Sequence, residues 1–187
     1  MSLYRKSDRE VVELAQKVLR THESHKPLLE VGVRIDFLTA RSEVDEHNMP
    51  IGPALTHHGH PALGIARINP DRLRALGHGD ACVDVDGDWW IDATDEQRAS
   101  LLDHELHHIA LRTDGVGNPR FDYLKRPVLR MRKHDADFGW FHTIAQRNGV
   151  HSVERTQAKS LLDHAGQIYW PDIVRVKAEK VSERKIA

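Results

Sequence analysis

The chain has 187 residues, enough for one domain with a real core and borderline for two. A hydrophobic content of 40% and a charged content of 29% are those of an ordinary globular protein and exclude a disordered one. The net charge of −1 gives the whole molecule no electrostatic reason to seek nucleic acid or membrane, and the single cysteine, Cys82, excludes an internal disulfide and points to a reducing compartment.

In chain order, residues 8–21 place Val11, Val12, Leu14, Ala15, Val18 and Leu19 at helical spacing, with charges on the other face. In LLEVGVRIDFLTA (28–40), Val31, Val33, Ile35 and Phe37 alternate with smaller or charged residues, which predicts a strand. Residues 41–61 are polar and rich in proline and histidine, a long loop. ALGIARINP (62–70) reads as a short strand. CVDVDGDWWID (82–92) alternates on both sides of Asp86-Gly87, a dipeptide suited to a primed turn, so a hairpin is expected. Its acidic run does not fit a calcium loop, because glycine falls at the fourth position and Asp95 at the twelfth.

Thr94 and Gln97 form a capping-box pattern that opens a helix running to about Arg112, with a glycine stop at Thr113-Asp114-Gly115. GVGNPRFDYLKRP (115–127) is loop, and VLRMRKH (128–134) is a short strand or extended segment. Asp135 caps a helix to Arg147 that Asn148-Gly149 ends, and a last helix spans 153–165 before a charged tail over 174–187. No repeat or linker is evident. The expected architecture is a single α+β domain over 1–187, with its core at about 28–150. The start, MSLYRKSDREVVELAQ, has no apolar run of the secretory kind, and no stretch approaches the roughly 18 apolar residues of a membrane span, so no membrane association and a cytoplasmic location are expected.

The chemistry concentrates in LLDHELHHIAL (101–111). His104, Glu105 and His108 satisfy H-E-x-x-H: histidines four apart on a helix project to one side and can share a zinc ion, while the intervening glutamate takes a proton from zinc-bound water. With 14 histidines and 11 glutamates, a chain of this composition carries the motif by accident about 6% of the time. Its position in a capped amphipathic helix, with both histidines off the Leu102–Leu106–Ile109 stripe, strengthens it. His107 falls on another side of the helix.

A hydrolytic zinc site needs a third protein ligand. The long form H-E-x-x-H-x-x-G-x-x-H fails, because Leu111 holds the glycine position and Asp114 the last ligand position. His134 is better placed, at the end of an extended run and beside a helix start; the 25 residues between it and His108 are ample for the return. Asp135 and Asp137 are alternative ligands, or carboxylates that hold a ligand histidine. His142 reads as surface or packing.

HHGHPALGIARI (57–68), GDACVDVDGDWW (79–90), EQRASLLDHELHH (96–108) and HDADFGWFHTIAQRNG (134–149) together resemble a family of phage metallopeptidases, in the zincin group and related to SprT-like peptidases. The resemblance spans about 56–149, leaving the N-terminal helix and the region after Gly149 outside. It implies a small zincin-like fold, a Zn2+ cofactor held by His104, His108 and His134, Glu105 as general base, and a protein or peptide substrate. The expected function is a zinc-dependent peptidase, with the peptide lying along an edge strand in the 82–92 hairpin. The alternative is a catalytically silent zincin-like binding or regulatory protein, which has no chemical need for Glu105. A hydrolase of another amide, such as one in a cell wall, ranks last.

Three further features carry milder readings. His57, His58 and His60 are a second metal site or, more simply, solvated loop residues. Trp89, Trp90, Trp140 and Phe141 are substrate contacts or core, with core expected for at least two. Arg120, Lys125, Arg126, Arg130, Arg132 and Lys133 form a local basic run; a solvated edge is favoured over a nucleic-acid contact. Tyr123, His142 and Arg132 are the candidates for stabilising an oxyanion.

Overall fold

The computed structural model describes residues 2–134 and 141–165. A four-stranded sheet organises it, with spatial order β1-β2-β6-β5. Strand β1 (Ser2–Lys6) runs antiparallel to β2 (Ile35–Ser42), β2 parallel to β6 (Ala81–Asp86), and β6 antiparallel to β5 (Gly64–Ile68). Helix α1 (Arg9–Thr21) buries Val11, Ala15, Val18 and Leu19, the predicted stripe.

Period-2 alternation sends the two faces of the sheet to different cores. Phe37, Val83, Val85 and Ala66 meet α1 and the long helix α5 (Asp95–His108), whose Leu102 and Leu106 are fully buried. Ala40 and Ile65 face the other way and are covered by Ala54 and Leu55 of the long connection. Truncating Leu102 or Leu106 to alanine in such a core costs about 2–5 kcal/mol.

The structure departs from several sequence-based expectations. Residues 28–34 are not strand: Pro27 sits in the first turn of a short helix α2 (Lys26–Glu30), and extension begins only at Ile35. CVDVDGDWWID is not a hairpin. It is β6 followed by helix α4 (Gly87–Asp92), because the Asp86 carboxylate accepts hydrogen bonds from the Asp88 and Trp89 amides and so caps a helix. Gly87 is required for another reason: a Cβ there would lie 2.5 Å from Thr39 Cγ2 and 2.9 Å from the Ala40 carbonyl oxygen. Strand β6 is therefore interior, and the sheet edge on this side is β5. Strand β1 was not anticipated at all.

Helix α5 keeps its capping box at Thr94 and Gln97 but stops at His108, four residues short of expectation. The chain turns at once into β7 (Ile109–Leu111), paired with β8 (Leu129–Met131). Between them two loops bud from the hairpin, and a third of the same kind lies at 45–50. DEHNMP, DGVGNP and DYLKRP share one construction. Asp45, Asp114 and Asp122 each accept backbone N–H bonds from the residues two and four ahead. Asn48, Gly117 and Lys125, three residues on, have φ of 59°, 93° and 57°. An isolated bridge to the proline closes each loop. This short repeat is invisible as a sequence period because only its aspartate and proline are fixed. It also explains why Asp114–Gly115 does not cap α5: the carboxylate is engaged in its own turn.

Helices α6 (His142–Asn148) and α7 (Val153–Ala165) close the described fold, with Gly149 at φ 54° ending α6 as expected. A short hairpin, β3 (Thr56–His57) with β4 (His60–Pro61), turns through His58 and Gly59, both at positive φ, and helix α3 (Asp71–Ala75) links β5 to β6. The expected helix start at Asp135 lies outside the described residues, but Phe141 is extended (φ −102°, ψ 111°), so α6 begins at His142 and does not run unbroken from Asp135; the tail over 174–187 also lies outside the described residues. Among the described residues, no helix is long and apolar enough to cross a membrane.

Candidate metal centre

One turn of α5 puts His104 and His108 on the same side, and the extended run after β8 brings His134 over them. The Nε2 atoms of His104 and His108 are 3.3 Å apart, and those of His134 and His104 are 3.2 Å apart. An ideal tetrahedral site with bonds of about 2.0–2.1 Å separates its donors by about 3.3–3.4 Å. Ligand atoms of all three residues fall within 4.8 Å of one another, a set that among the described residues is repeated nowhere else.

The outer nitrogens explain why Nε2 faces this common point. His104 Nδ1 donates to Glu154 Oε1 at 2.7 Å, and His108 Nδ1 donates to the Arg132 carbonyl oxygen at 2.9 Å. Each acceptor fixes the tautomer that leaves the Nε2 lone pair available. Burial and the neighbouring imidazoles bring His108 down to about 4, so its ring is neutral at pH 7. Burial also disfavours charge on His104, but the hydrogen bond from its ring to Glu154 and the nearby carboxylates outweigh it and raise its pKa. Three imidazoles, with His104 at tetrahedral spacing from each of the other two and two rings held from behind, fit a zinc-type ion.

Phe141 is the packing floor. It is wholly buried, and its ring centroid lies 5.0, 4.8 and 4.8 Å from those of His104, His108 and His134. With Trp90 also buried, two of the four aromatics singled out from sequence are core, as expected; Trp140 lies outside the described residues. His107 points away from the three, packing on Phe141 and His25, with its Nδ1 buried and, among the described residues, unpartnered.

Glu105 is buried against the edge strand, and a Cβ on Gly64 would sit 2.7–2.9 Å from its side-chain atoms. Its pKa is raised by burial, with His104 and the Ala66 amide partly opposing. A cleft of about 650 Å³ opens above it, walled by β3–β4, the β5 edge, α5 and residues 131–134. His57, His58 and His60 line that cleft without forming a ligand set of their own. Arg132 lines it too. Tyr123 does not: it stands exposed on the DYLKRP loop. His142 borders a separate small depression beside Arg155.

Sequence reasoning missed Glu154. It stands in the first turn of α7, 1% exposed, its second oxygen bonded by the Ser152 hydroxyl. Asp135 and Asp137, the carboxylates expected in that role, lie outside the described residues, and the only signal for Glu154 was a glutamate near a predicted helix start. A second buried carboxylate, Asp103, anchors the same helix from behind: it accepts from His25 at 2.6 Å and from Arg147 at 2.7 and 2.9 Å.

An α+β frame thus aims three histidines at one point, a set that could hold a metal ion, and buries a glutamate beside them. The chain belongs to the family described as "Putative phage metallopeptidase", which matches residues 3–165. The match reaches well beyond the 56–149 segment that carried the resemblance, taking in both the N-terminal helix and the helix that bears Glu154. No curated protein and no solved structure matches the chain.

Proposed function

We propose that this protein is a zinc-dependent peptidase, with His104, His108 and His134 holding the ion and Glu105 as general base. The observation that carries this is the tetrahedral spacing of the imidazole nitrogens beside a buried, proton-accepting carboxylate in an open cleft. When bound, zinc supplies a Lewis acid that lowers the pKa of water and polarises a carbonyl.

The chain's own residues do the rest. Glu105, whose pKa its burial raises, takes a proton at its carboxylate and can deliver it to the leaving amine. The β5 edge replaces the interior β6 as the strand along which an extended peptide pairs, since among the described residues no strand pairs with the outer side of Gly64–Ile68, and Gly64 and the Ala66 amide abut Glu105 there. Glu154 and the Arg132 carbonyl hold the ligand rings so that no reorientation is needed on binding.

The test is metal analysis with peptide hydrolysis. The zinc-loaded parent should cleave an unstructured protein substrate, and Glu105→Gln should keep its zinc and its melting temperature while losing at least about a hundredfold in turnover. His134→Ala should lose zinc. If the biological effect survives Glu105→Gln, the protein is a binding or regulatory module instead.

A further inference from the structure

The β7–β8 hairpin carries a charge pattern that the metal centre does not use. Between Ile109 and His134 the sequence holds seven arginines and lysines against two aspartates, in a chain whose net charge is −1. Both aspartates are committed: Asp114 to its own loop, Asp122 to its loop and to Arg74 at 2.9 Å. Arg126 is likewise structural, reaching Asp80 and two backbone carbonyls. Arg112, Arg120, Lys125 and Arg130 are exposed, and among the described residues none of them makes an ion pair.

Strand geometry aligns part of this set. Arg130 is the cross-strand partner of Ala110, and Arg112 lies two residues beyond Ala110, so Arg130 and Arg112 share one face. Arg132, two residues after Arg130, continues that side and lines the cleft. The Arg120 amide bonds the Arg112 carbonyl at 2.9 Å, which places Arg120 at the outer end. The result is a row of guanidinium groups that starts on the projecting loops and ends at the mouth of the cleft. The opposite wall of the cleft is the imidazole-bearing hairpin of His57, His58 and His60.

We propose that this row is an exosite for an acidic stretch of the polypeptide substrate, contiguous with the scissile bond. The inference rests on the peptidase reading of the cleft. An extended peptide repeats its same-side residues about every 6.6 Å, the i, i+2 spacing of Arg130 and Arg132, so alternate carboxylates meet those two guanidiniums in register while Arg112 flanks them from the β7 side. A ligand that touches the row and the cleft together is also the one whose chemistry the cleft serves. Among the described residues, Glu105 is the sole carboxylate lining that cleft, and it is buried against β5.

The experiment uses the full zinc-loaded chain carrying Glu105→Gln and fluorescence anisotropy of labelled peptides. A peptide alternating glutamate and threonine should bind on the order of tenfold tighter than its glutamine counterpart, with the difference shrinking as salt is added. Adding Arg112→Glu and Arg130→Glu should erase that difference while zinc content and melting temperature stay at the parent values. Equal affinity for the two peptides overturns the proposal. So does a single-stranded oligodeoxynucleotide that binds more tightly than the acidic peptide and displaces it, which would assign the row to nucleic acid. The two readings separate cleanly: hydrolysis without charge preference sinks the exosite alone. Charge-dependent binding that needs Arg112 and Arg130, with no hydrolysis by the zinc-loaded parent, sinks the peptidase and leaves the acidic-peptide surface standing.

Discussion

Removing Glu154 should weaken zinc binding without touching any atom that contacts zinc. Its carboxylate is 1% exposed and accepts from His104 Nδ1 at 2.7 Å, with Ser152 on the other oxygen. Burial disfavours its charge, yet the bonds from His104 and Ser152 prevail and hold its pKa below the usual range. A carboxylate behind a ligand imidazole is worth about 10–100-fold in metal affinity, or about 1.4–2.7 kcal/mol. Glu154→Gln keeps an acceptor for the Nδ1 proton but loses the charge, so zinc affinity should fall about tenfold. Glu154→Ala also leaves His104 Nδ1 without its partner in a buried site, so its loss should approach a hundredfold and the metal-free protein should soften. Competition with a chromophoric chelator, alongside thermal melts in EDTA, measures both. The reasoning is refuted if Glu154→Ala binds zinc as tightly as the parent, or if glutamine proves worse than alanine.

Gly64→Ala should cripple turnover while leaving zinc bound, because the new Cβ would lie 2.7–2.9 Å from Glu105 and the buried carboxylate has to move; the overpacking itself costs about 1–3 kcal/mol, read from a melt. Asp103→Asn should cost about 3 kcal/mol in urea unfolding of the metal-free protein, since it breaks a buried carboxylate from Arg147 and His25. Burial works against Asp103's charge, but those two partners lower its pKa below its ordinary 3.8, so the stability it contributes is full above that value and lost as pH falls beneath it. The asparagine variant should therefore show a flatter decline below pH 4, and an unchanged acid profile would count against the network. Cys82, pushed up to about 11 chiefly by burial, should be about a thousandth thiolate at pH 8, against about a tenth for an ordinary thiol at 9.0. Alkylation of the native protein should lag the urea-unfolded one about a hundredfold, and equal rates would contradict the buried setting.

How far the chain could be read depended on whether a signal was local. The capped helix with H-E-x-x-H was legible because its capping box and ligand spacing lie within 15 residues, 94–108, and agree; the expected one-sided apolar stripe is absent, since residues 100–107 are all buried and Ile109 belongs to β7. Asp86-Gly87 was misread because the same dipeptide serves a primed turn or a helix N-cap, and the choice is made by distant atoms: the Thr39 methyl and the Ala40 carbonyl press on Gly87 from β2. Residues 28–34 failed for a similar reason. Val31 and Val33 alternate like a strand, but Pro27 starts a helical turn and Gly32, at φ 75°, reverses it before extension begins. Strand β1 had no pattern to find, since an edge strand with one lightly covered face shows little alternation.

The site divides along the same line. His134 could be singled out because a ligand must return over the α5 face and an extended run stood ready to bring it there. Glu154 could not, because a carboxylate that holds a histidine from behind needs only to arrive at one nitrogen, and any of several acids meets that condition on paper. Its role comes from α7 docking against α5, where the Val153 amide bonds Ser100 Oγ and the Glu154 carboxylate meets the His104 ring with one oxygen and the Ser152 hydroxyl with the other. Helix α5 is thus gripped from two directions by groups far away in sequence, at Asp103 by His25 and Arg147 and at His104 by Glu154. Neighbouring residues of one helix turn, they hold the metal-facing side still from its back. That is why precision in this centre should depend on residues 25, 147 and 154 although the proposed ligands lie at 104, 108 and 134: imidazoles four apart supply donors, but only a fixed backbone keeps the nitrogens at the 3.2–3.3 Å separations a tetrahedral ion requires.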